Sequence, residues 1–321
     1  MTHIMNILPF KSGKLRLVIP VIAALAITLV IACGSSAVPT ADPDPTSSQA
    51  APTTITPIVA TTVLEVGEQR LAFLLTTSKG LIKTPSVMVT PVYLDDIGFP
   101  GTVIMADFNI WPYGIRGSYS TYANFDRAGR WLIDVHVDNP DGDDEVQFEV
   151  EVLEKSPVPS VGTTAPLSLS KVLADYVSIE EITTDYSPDP ALYQLTIKDA
   201  VENDLPSVVV FASPAFCTSP TCGPQVDALS ALKEKRPDQA NYIHVEIYDN
   251  PALIQGNLDR AEIFSVVDDW GLTAIDDYLN ESWTFILDAE GQINDRFEGF
   301  ATLDELEAAL KKLLPRIDPD Y

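Results

Sequence analysis

The segment Ser207 to Pro224 reads SVVVFASPAFCTSPTCGP and joins an apolar, β-branched run to two closely spaced cysteines. On a continuous α-helix, positions five apart have Cα atoms about 8.6 Å apart, whereas a disulfide accepts roughly 4.4–6.8 Å. A bonded pair therefore requires Cys217 on the loop after the strand and Cys222 at the start of the following helix. Pro214 and Pro220 are the chain-breaking residues that such a loop needs.

The residues after Pro224 carry apolar side chains at helical spacing, which predicts a helix over 224–235. Proline is tolerated in a first turn, where its missing N–H has no helical partner anyway. Thr221 is then the predicted N-cap, and Cys222 lies in the first turn, beside the positive end of the helix dipole. Such a position lowers the pKa of a thiol and favours the reactive thiolate.

The N-terminal residues look like the signal peptide of a bacterial lipoprotein. Basic residues precede an apolar stretch from Leu17 to Ile31, which is followed by a small residue and Cys33. The stretch of about 15 residues is shorter than the roughly 20 that a membrane-spanning helix needs. We therefore predict a signal peptide over 1–32, with Cys33 as the lipidated first residue of a mature chain held on the extracytoplasmic side of a membrane, in the cell envelope.

Residues 33–60 are rich in Ser, Thr, Ala and Pro, which predicts a disordered tether. The formal net charge of −26 argues against nucleic acid and anionic lipid surfaces as partners, so the predicted membrane contact is the lipid on Cys33. With Cys33 committed to lipid, Cys217 and Cys222 remain as a pair. An even pair outside the cytoplasm is expected to oxidise.

Residues 61–157 have the alternating pattern of an all-β domain. The runs 131–138 and 146–152 flank a turn at 139–142 and predict a hairpin, with Trp131 in the core. Four earlier runs bring the strand number close to that of an immunoglobulin-like sandwich; they lie at 69–76, 86–93, 102–110 and 116–124.

The acidic turn of this hairpin does not fit a calcium loop. With Gly142 as the loop glycine, an EF-hand would place Val137 and Phe148 at its first and last ligand positions, and neither side chain coordinates. His136 is predicted on the solvent side of its strand, without a second His or Cys nearby in sequence. We therefore predict no metal site and no cofactor.

After the boundary at 158–162 the pattern changes to alternating strands and helices. The last helix has Thr302 and Glu305 at capping-box spacing, followed by leucines on one stripe. The other predicted elements are a helix near 196–203, strand 207–212, helix 224–235, strand 241–248, a helix near 258–269, and strands 283–287 and 292–297.

Residues 160–316 resemble the thioredoxin fold, and look most like secreted or membrane-tethered thioredoxin-like proteins with CxxxxC in place of CxxC. The blocks that carry the resemblance are VGTTAP, LPSVVVFASPAFCTSPTCGP, YIHVEIY, and ESWTFILDAEGQINDRFEG followed by the helix LDELEAAL. The resemblance implies a redox pair, Cys217 and Cys222, with protein thiols and disulfides as partners. The expected fold class is thus two-domain: an all-β immunoglobulin-like sandwich followed by an α/β thioredoxin-like fold.

The chain departs from the thioredoxin pattern in three ways. The longer spacing leaves two alignments open, with either Cys217 or Cys222 as the attacking thiol. The strand before the cysteines lacks the buried carboxylate that accepts a proton in thioredoxins. Ser282, between Glu281 and Trp283, stands where the family has a cis-proline facing the cysteines. A cis bond to a non-proline residue costs about 2.5–4 kcal/mol, so this loop is expected to be either trans or strained.

We predict thiol–disulfide exchange, in which a thiolate attacks a partner disulfide and the second cysteine resolves the mixed disulfide. One alternative is a non-catalytic tethered binding module in which the pair is a structural disulfide. Another is copper handling like that of Sco-type chaperones, with His244 as a further ligand. By alternation His244 shares a strand face with Tyr242 and Glu246, which favours a surface or hydrogen-bonded histidine.

Overall fold

The computed structural model describes residues 54–96, 101–112, 116–139, 142–275 and 281–315. The predicted signal peptide, Cys33 and the tether up to residue 53 lie outside the described residues. All described residues belong to one unit, Pro52–Tyr321.

The N-terminal part is all β, as the alternating pattern predicts. One curled sheet has the strand order β1-β3-β7-β6-β5-β8-β9-β2, with β4 paired to β3. The pairs are antiparallel except β2 with β9. The strands are β1 (Thr56–Val59), β2 (Leu64–Glu65), β3 (Gly67–Thr77), β4 (Gly80–Leu81), β5 (Ser86–Tyr93), β6 (Ile104–Ile110), β7 (Gly117–Phe125), β8 (Gly129–Asn139) and β9 (Gly142–Leu153).

The predicted hairpin is confirmed. Strands β8 and β9 pair from Gly129↔Val152 to Asn139↔Gly142, and alternate residues of β8 from Trp131 to Val137 are buried. Because successive side chains point to opposite faces, this alternation places one face of the hairpin on the core. His136 lies on the other face and is half-buried.

The prediction of a tether as far as residue 60 was wrong at its C-terminal end. Residues 56–59 form β1, which pairs antiparallel with β3 from Thr56↔Thr76 to Val59↔Phe73. Pro57 is compatible with this strand because β1 is an edge strand, where one side of the ladder has no partner. The β-branched Ile58 and Val59 favour an extended backbone.

The C-terminal part is a four-stranded mixed sheet with helices on both faces. The strand order is β11-β10-β12-β13, in which β10 is parallel to β11 and the other pairs are antiparallel. The elements are α1 (Ile197–Val201), β10 (Ser207–Ala212), α2 (Cys222–Lys235), β11 (Asn241–Glu246), α3 (Pro251–Ile254), α4 (Ser265–Asp269), β12 (Trp283–Leu287), β13 (Ile293–Glu298) and α5 (Leu303–Lys311).

Every residue of β10, β11 and β12 is buried, which explains the nearly continuous apolar runs of β10 and β12. One face packs on α1 and α4 around Phe211 and Trp270. The other packs on α2 and α5 through Leu229 and Leu306. The cysteine loop thus leaves the sheet from a strand that is covered on both sides.

The predicted capping box is confirmed: the Thr302 hydroxyl accepts from the N–H of Glu305, and the Glu305 carboxylate accepts from the N–H of Thr302. The predicted helix near 258–269 was wrong in its first half. Residues 258–260 form a 3-10 turn, and Ile263 bridges to Tyr248 instead of continuing a helix. This tertiary backbone pairing outweighs local helix propensity.

The boundary segment 158–162 begins at the buried Val158 and contacts both parts. The Arg296 guanidinium on β13 donates to the carbonyl oxygens of Val158 and Pro159 at 3.3 and 3.2 Å, and forms an ion pair with Glu65 at 3.2 Å. Arg70 on β3 forms a second ion pair, 2.8 Å from Glu305 on α5. These contacts hold the β part and the α/β part in one arrangement.

Candidate redox site

A disulfide bond joins Cys217 to Cys222, with their Cα atoms 5.8 Å apart. Cys217 lies on the loop after β10, and Cys222 is the first residue of α2. The sequence predicts both positions from the requirement that five residues on a continuous helix cannot be bridged.

The two sulfur-bearing residues differ in accessibility. Both cysteines line one groove, but Cys222 is 0% exposed and belongs to the core cluster that contains Leu229, whereas Cys217 is half-buried. A partner thiol arriving from solvent therefore meets Cys217 first. This difference favours one of the two alignments that the sequence left open, the one with Cys217 as the outward cysteine.

The start of the cysteine loop, at residues 213–216, is held by a network of hydrogen bonds. The N–H of Phe216 donates to the carbonyl oxygen of Ser213 at 3.0 Å, and the N–H of Ala215 donates to the Thr184 hydroxyl at 3.2 Å. Thr184 in turn donates its N–H and its hydroxyl to the carboxylate of Glu246, at 2.8 and 2.7 Å. The loop therefore leaves β10 in a defined direction.

Thr221 occupies the N-cap position of α2, but the predicted capping hydrogen bond is absent. Its backbone is right-handed helical, and its buried hydroxyl donates to the Glu281 carboxylate at 3.0 Å. The same hydroxyl oxygen lies 3.7 Å from the sulfur of Cys217. An N-cap residue normally has an extended backbone, which turns its hydroxyl oxygen toward the N–H groups of the first turn; the helical backbone of Thr221 does not have this geometry.

The segment 281–283 faces the cysteine loop as predicted for Ser282. Its fully buried hydroxyl contacts the carbonyl oxygen of Gly299 at 3.0 Å and the Thr221 hydroxyl at 3.3 Å. The peptide bonds among the described residues are trans, including the one before Ser282. Trp283 is 2% exposed and packs on Phe285, so it supports the site from the core.

His244 is a buried, hydrogen-bonded histidine and not a surface one. Its Nε2 donates to the carbonyl oxygen of Ala212 at 3.0 Å, and its Nδ1 accepts from the Tyr193 hydroxyl at 2.7 Å. Burial lowers the pKa of His244 to about 4. Both ring nitrogens are engaged, which leaves no lone pair for a copper ion. Among the described residues, no group of three or more His, Cys, Asp or Glu side chains is arranged to hold a metal.

Glu246 is a buried carboxylate that the sequence reasoning missed. It ends β11, opposite Ala212 in the register with β10, and burial raises its pKa to about 7. The strand before the cysteines carries no carboxylate, but its neighbour does. The signal in the sequence is the one acidic residue inside the apolar run YIHVEIY.

Replacing Glu246 with glutamine is expected to change how stability depends on pH. Because its pKa is higher in the folded chain, Glu246 contributes stability below about pH 4.5 and loses it as the pH rises through about 7. The free energy of unfolding of Glu246→Gln, relative to wild type, should therefore rise by about 3 kcal/mol between pH 4 and pH 8. Urea titrations across this range measure it.

His244→Gln is the matched control for that experiment. The pKa of His244 is lowered, so its contribution is present above about pH 6.5 and is lost as the pH falls through about 4. Its relative free energy of unfolding should therefore change with pH in the opposite direction. Parallel curves for the two variants would contradict both assignments.

Two grooves flank the cysteine loop and share one wall from the β part. A groove of about 680 Å³ is lined by Cys217, Pro214 and Pro220, and one of about 620 Å³ by Thr221, Glu281 and Phe300. Trp111 and Arg116, from the connection between β6 and β7, line both. The Trp111 ring is half-buried and lies 5.7 Å from that of Phe300, between centroids.

Helices with the length and apolar character of a membrane span were not found among the described residues.

No protein-family model and no curated protein matches the chain. Among solved structures, the chain is similar to the solution structure of the PKD domain of the human VPS10 domain-containing receptor SorCS2, with 18% sequence identity and a TM-score of 0.19. The match covers 38% of this chain and 94% of that one.

Proposed function

We propose that the chain is a lipid-anchored, extracytoplasmic thioredoxin-like protein that exchanges disulfides through Cys217 and Cys222. The observation that carries this proposal is the bonded pair itself, with one half-accessible cysteine on a loop and one buried cysteine at the start of a helix. An accessible sulfur that can be attacked and a protected sulfur that can resolve are the two parts that exchange requires.

The architecture supports the thioredoxin-like assignment. A central strand leads through the cysteine loop into α2, its parallel neighbour follows, and two antiparallel strands complete the sheet before α5. For the β part, the curled antiparallel sheet around a single core supports an immunoglobulin-like sandwich.

Exchange begins at Cys217. A thiolate of a partner dithiol attacks the Cys217 sulfur, the bond to Cys222 breaks, and Cys222 leaves with the electron pair and takes up a proton. The partner's second thiolate then attacks the partner's first sulfur, which is bonded to Cys217 in the mixed disulfide. Cys217 leaves with the electron pair and takes up a proton. The partner gains a disulfide, and the pair gains two electrons and two protons; the reverse sequence reduces a partner disulfide.

The position of Cys222 favours its role as a leaving group. It lies in the first turn of the 14-residue helix α2, at the positive end of the helix dipole. A leaving thiolate is stabilised there, although burial opposes the charge.

Equilibration with glutathione redox buffers tests the proposal. The fraction of reduced chain, read from the mass added by alkylation, should give a reduction potential above about −300 mV, the range of exchange centres. The reduced chain should also reduce insulin when a dithiol resupplies electrons. A potential below about −300 mV together with no insulin reduction would leave the pair as a structural disulfide.

A tethered binding module is the second candidate, and the grooves favour it. They are lined from both parts of the chain and would contact a partner whether or not the cysteines react. Such a module retains partner binding when both cysteines are replaced, whereas an exchange protein loses its covalent intermediate.

The lipid anchor is part of the same proposal. Cys33 follows the apolar stretch 17–31 and a small residue, the arrangement that lipoprotein processing requires. Labelled fatty acid should be incorporated into the wild-type chain and not into Cys33→Ala. Equal labelling of the two would reject an anchor at Cys33.

A further inference from the structure

The Glu281 carboxylate is tied to the cysteine loop by two hydroxyl groups. The Thr221 hydroxyl donates to Glu281 Oε2 at 3.0 Å, and the Ser219 hydroxyl donates to the same oxygen. Ser219 and Thr221 both lie between the two cysteines in sequence. Glu281 is half-buried and comes from the segment just before β12, sixty residues away from Thr221.

This arrangement sets the orientation of the Thr221 hydroxyl next to the sulfur of Cys217. A threonine hydroxyl has one proton, and here Glu281 accepts it. The Thr221 oxygen, 3.7 Å from the Cys217 sulfur, therefore presents its lone pairs to that sulfur. A lone pair can accept a hydrogen bond from a thiol, but it cannot donate one to a thiolate.

The charge of Glu281 acts in the same direction. Two short contacts, of 3.0 and 3.7 Å, connect its carboxylate through Thr221 to the sulfur. A negative charge near a thiol disfavours ionisation of that thiol. The low pKa expected in the first turn of α2 belongs to Cys222, whereas the carboxylate acts on Cys217.

We propose that Glu281, acting through Thr221, is a positioning residue that holds the reduced Cys217 as a neutral thiol at neutral pH. The proposal rests on the proposed exchange function and names the group that controls its outward cysteine. Ionisation of Cys217, which exchange needs, then occurs only when a partner or a higher pH compensates for the carboxylate.

Other charged groups near the site act less directly. Arg116 lines the same groove as Cys217 and favours a thiolate there. Glu298 on β13 is buried and accepts a hydrogen bond from the N–H of Thr62. Burial raises the pKa of Glu298, and the Glu281 charge raises it further. Glu246 reaches the loop only through Thr184, on the side of Ser213 and Ala215.

The test measures ionisation of Cys217 directly. In a full chain carrying Cys222→Ala, the rate of iodoacetamide alkylation at Cys217 is followed against pH, and the modified peptide is identified by mass. Adding Glu281→Gln removes the charge and frees the Thr221 proton to turn toward the sulfur. The thiol pKa should fall, and alkylation at pH 7 should become about tenfold faster, which corresponds to one pKa unit.

Two controls separate the proposed path from general effects. Glu290→Gln removes an exposed charge from the turn between β12 and β13 and should leave the profile unchanged. In a Thr221→Val background the Glu281→Gln effect should shrink, because the hydroxyl link is already lost, whereas Thr221→Ser should preserve it.

A Cys217 pKa that stays the same or rises in Glu281→Gln would overturn the proposal. This result is distinct from failure of the exchange function, since alkylation needs no partner. A chain that shows the pKa effect but reduces no disulfide would keep the role of Glu281 and lose the proposed function.

Discussion

Cys217→Ser is expected to abolish disulfide exchange, with insulin reduction falling to the background given by the dithiol alone. The reason is that Cys217 is the half-accessible member of the pair, so a partner has no other sulfur of the pair to meet. Cys222→Ser should also stop turnover but should leave a different trace. Without the resolving thiol, a partner stays covalently attached to Cys217 as a mixed disulfide.

Each variant is the matched control of the other because both lose the same bond. Closing a six-residue loop stabilises a chain by about 2 kcal/mol in the loop-entropy description, so both should unfold at similarly lower urea concentrations. Mass spectrometry after incubation with intact, disulfide-bonded insulin should find an adduct only with Cys222→Ser. Adducts on both variants, or on neither, would contradict the assignment of Cys217 as the outward, attacking cysteine.

Arg296→Met is expected to destabilise the folded chain by about 3–5 kcal/mol, because removal of one partner leaves a buried charge uncompensated. The Arg296 and Glu65 side chains are only 5% and 6% exposed. The same guanidinium donates to the Gln69 side chain at 2.9 Å and to two carbonyl oxygens of the boundary segment. Its loss removes contacts from both parts of the chain at once. Urea unfolding at pH 7 measures the change.

The control for this prediction is the exposed pair Arg130 and Glu149, whose side chains are 64% and 55% exposed. Arg130→Met should cost less than about 1 kcal/mol, since solvent screens such pairs. Adding Glu65→Gln to Arg296→Met should restore part of the stability, because it removes the buried Glu65 charge that has lost its ion-pair partner. If Arg296→Met cost no more than Arg130→Met, the two parts would not be joined by this ion pair.

The contact between the two parts gives the β part a direct connection to the cysteines. Trp111 and Arg116 belong to the β part by sequence, yet they form the wall of both grooves beside the cysteine loop. A partner bound at Cys217 therefore touches both parts. The ion pairs at Arg296 and Arg70 keep this wall in place.

Elements with strong local patterns were predicted well. The apolar run 207–212 is a strand, the runs around the turn at 139–142 pair as a hairpin, and Thr302 caps the last helix. In each case the information lies within a few residues: side-chain alternation, a turn, or a cap three residues from its partner. The position of both cysteines follows from equally local geometry.

The sequence predictions were wrong where the local structure depends on contacts with residues far away in sequence. Residues 56–59 are a strand because β3 pairs with them, and residues 258–263 do not form an α-helix because Ile263 bridges to Tyr248. The Thr221 hydroxyl makes no cap hydrogen bond to its helix and donates to the carboxylate of Glu281, sixty residues away. No window of local sequence contains these partners, so propensity alone predicts a different outcome.

From its sequence alone, this chain specifies a strand, a proline-bounded loop and a helix that bring two cysteines within bonding distance. The tertiary structure decides which sulfur a partner can reach and which groups set its charge. Burial of Cys222 and the contact from Glu281 through Thr221 to Cys217 both arise from segments far apart in sequence. The physical reason is that backbone geometry is a local property, whereas solvent exclusion and electrostatic contacts depend on how the whole chain packs.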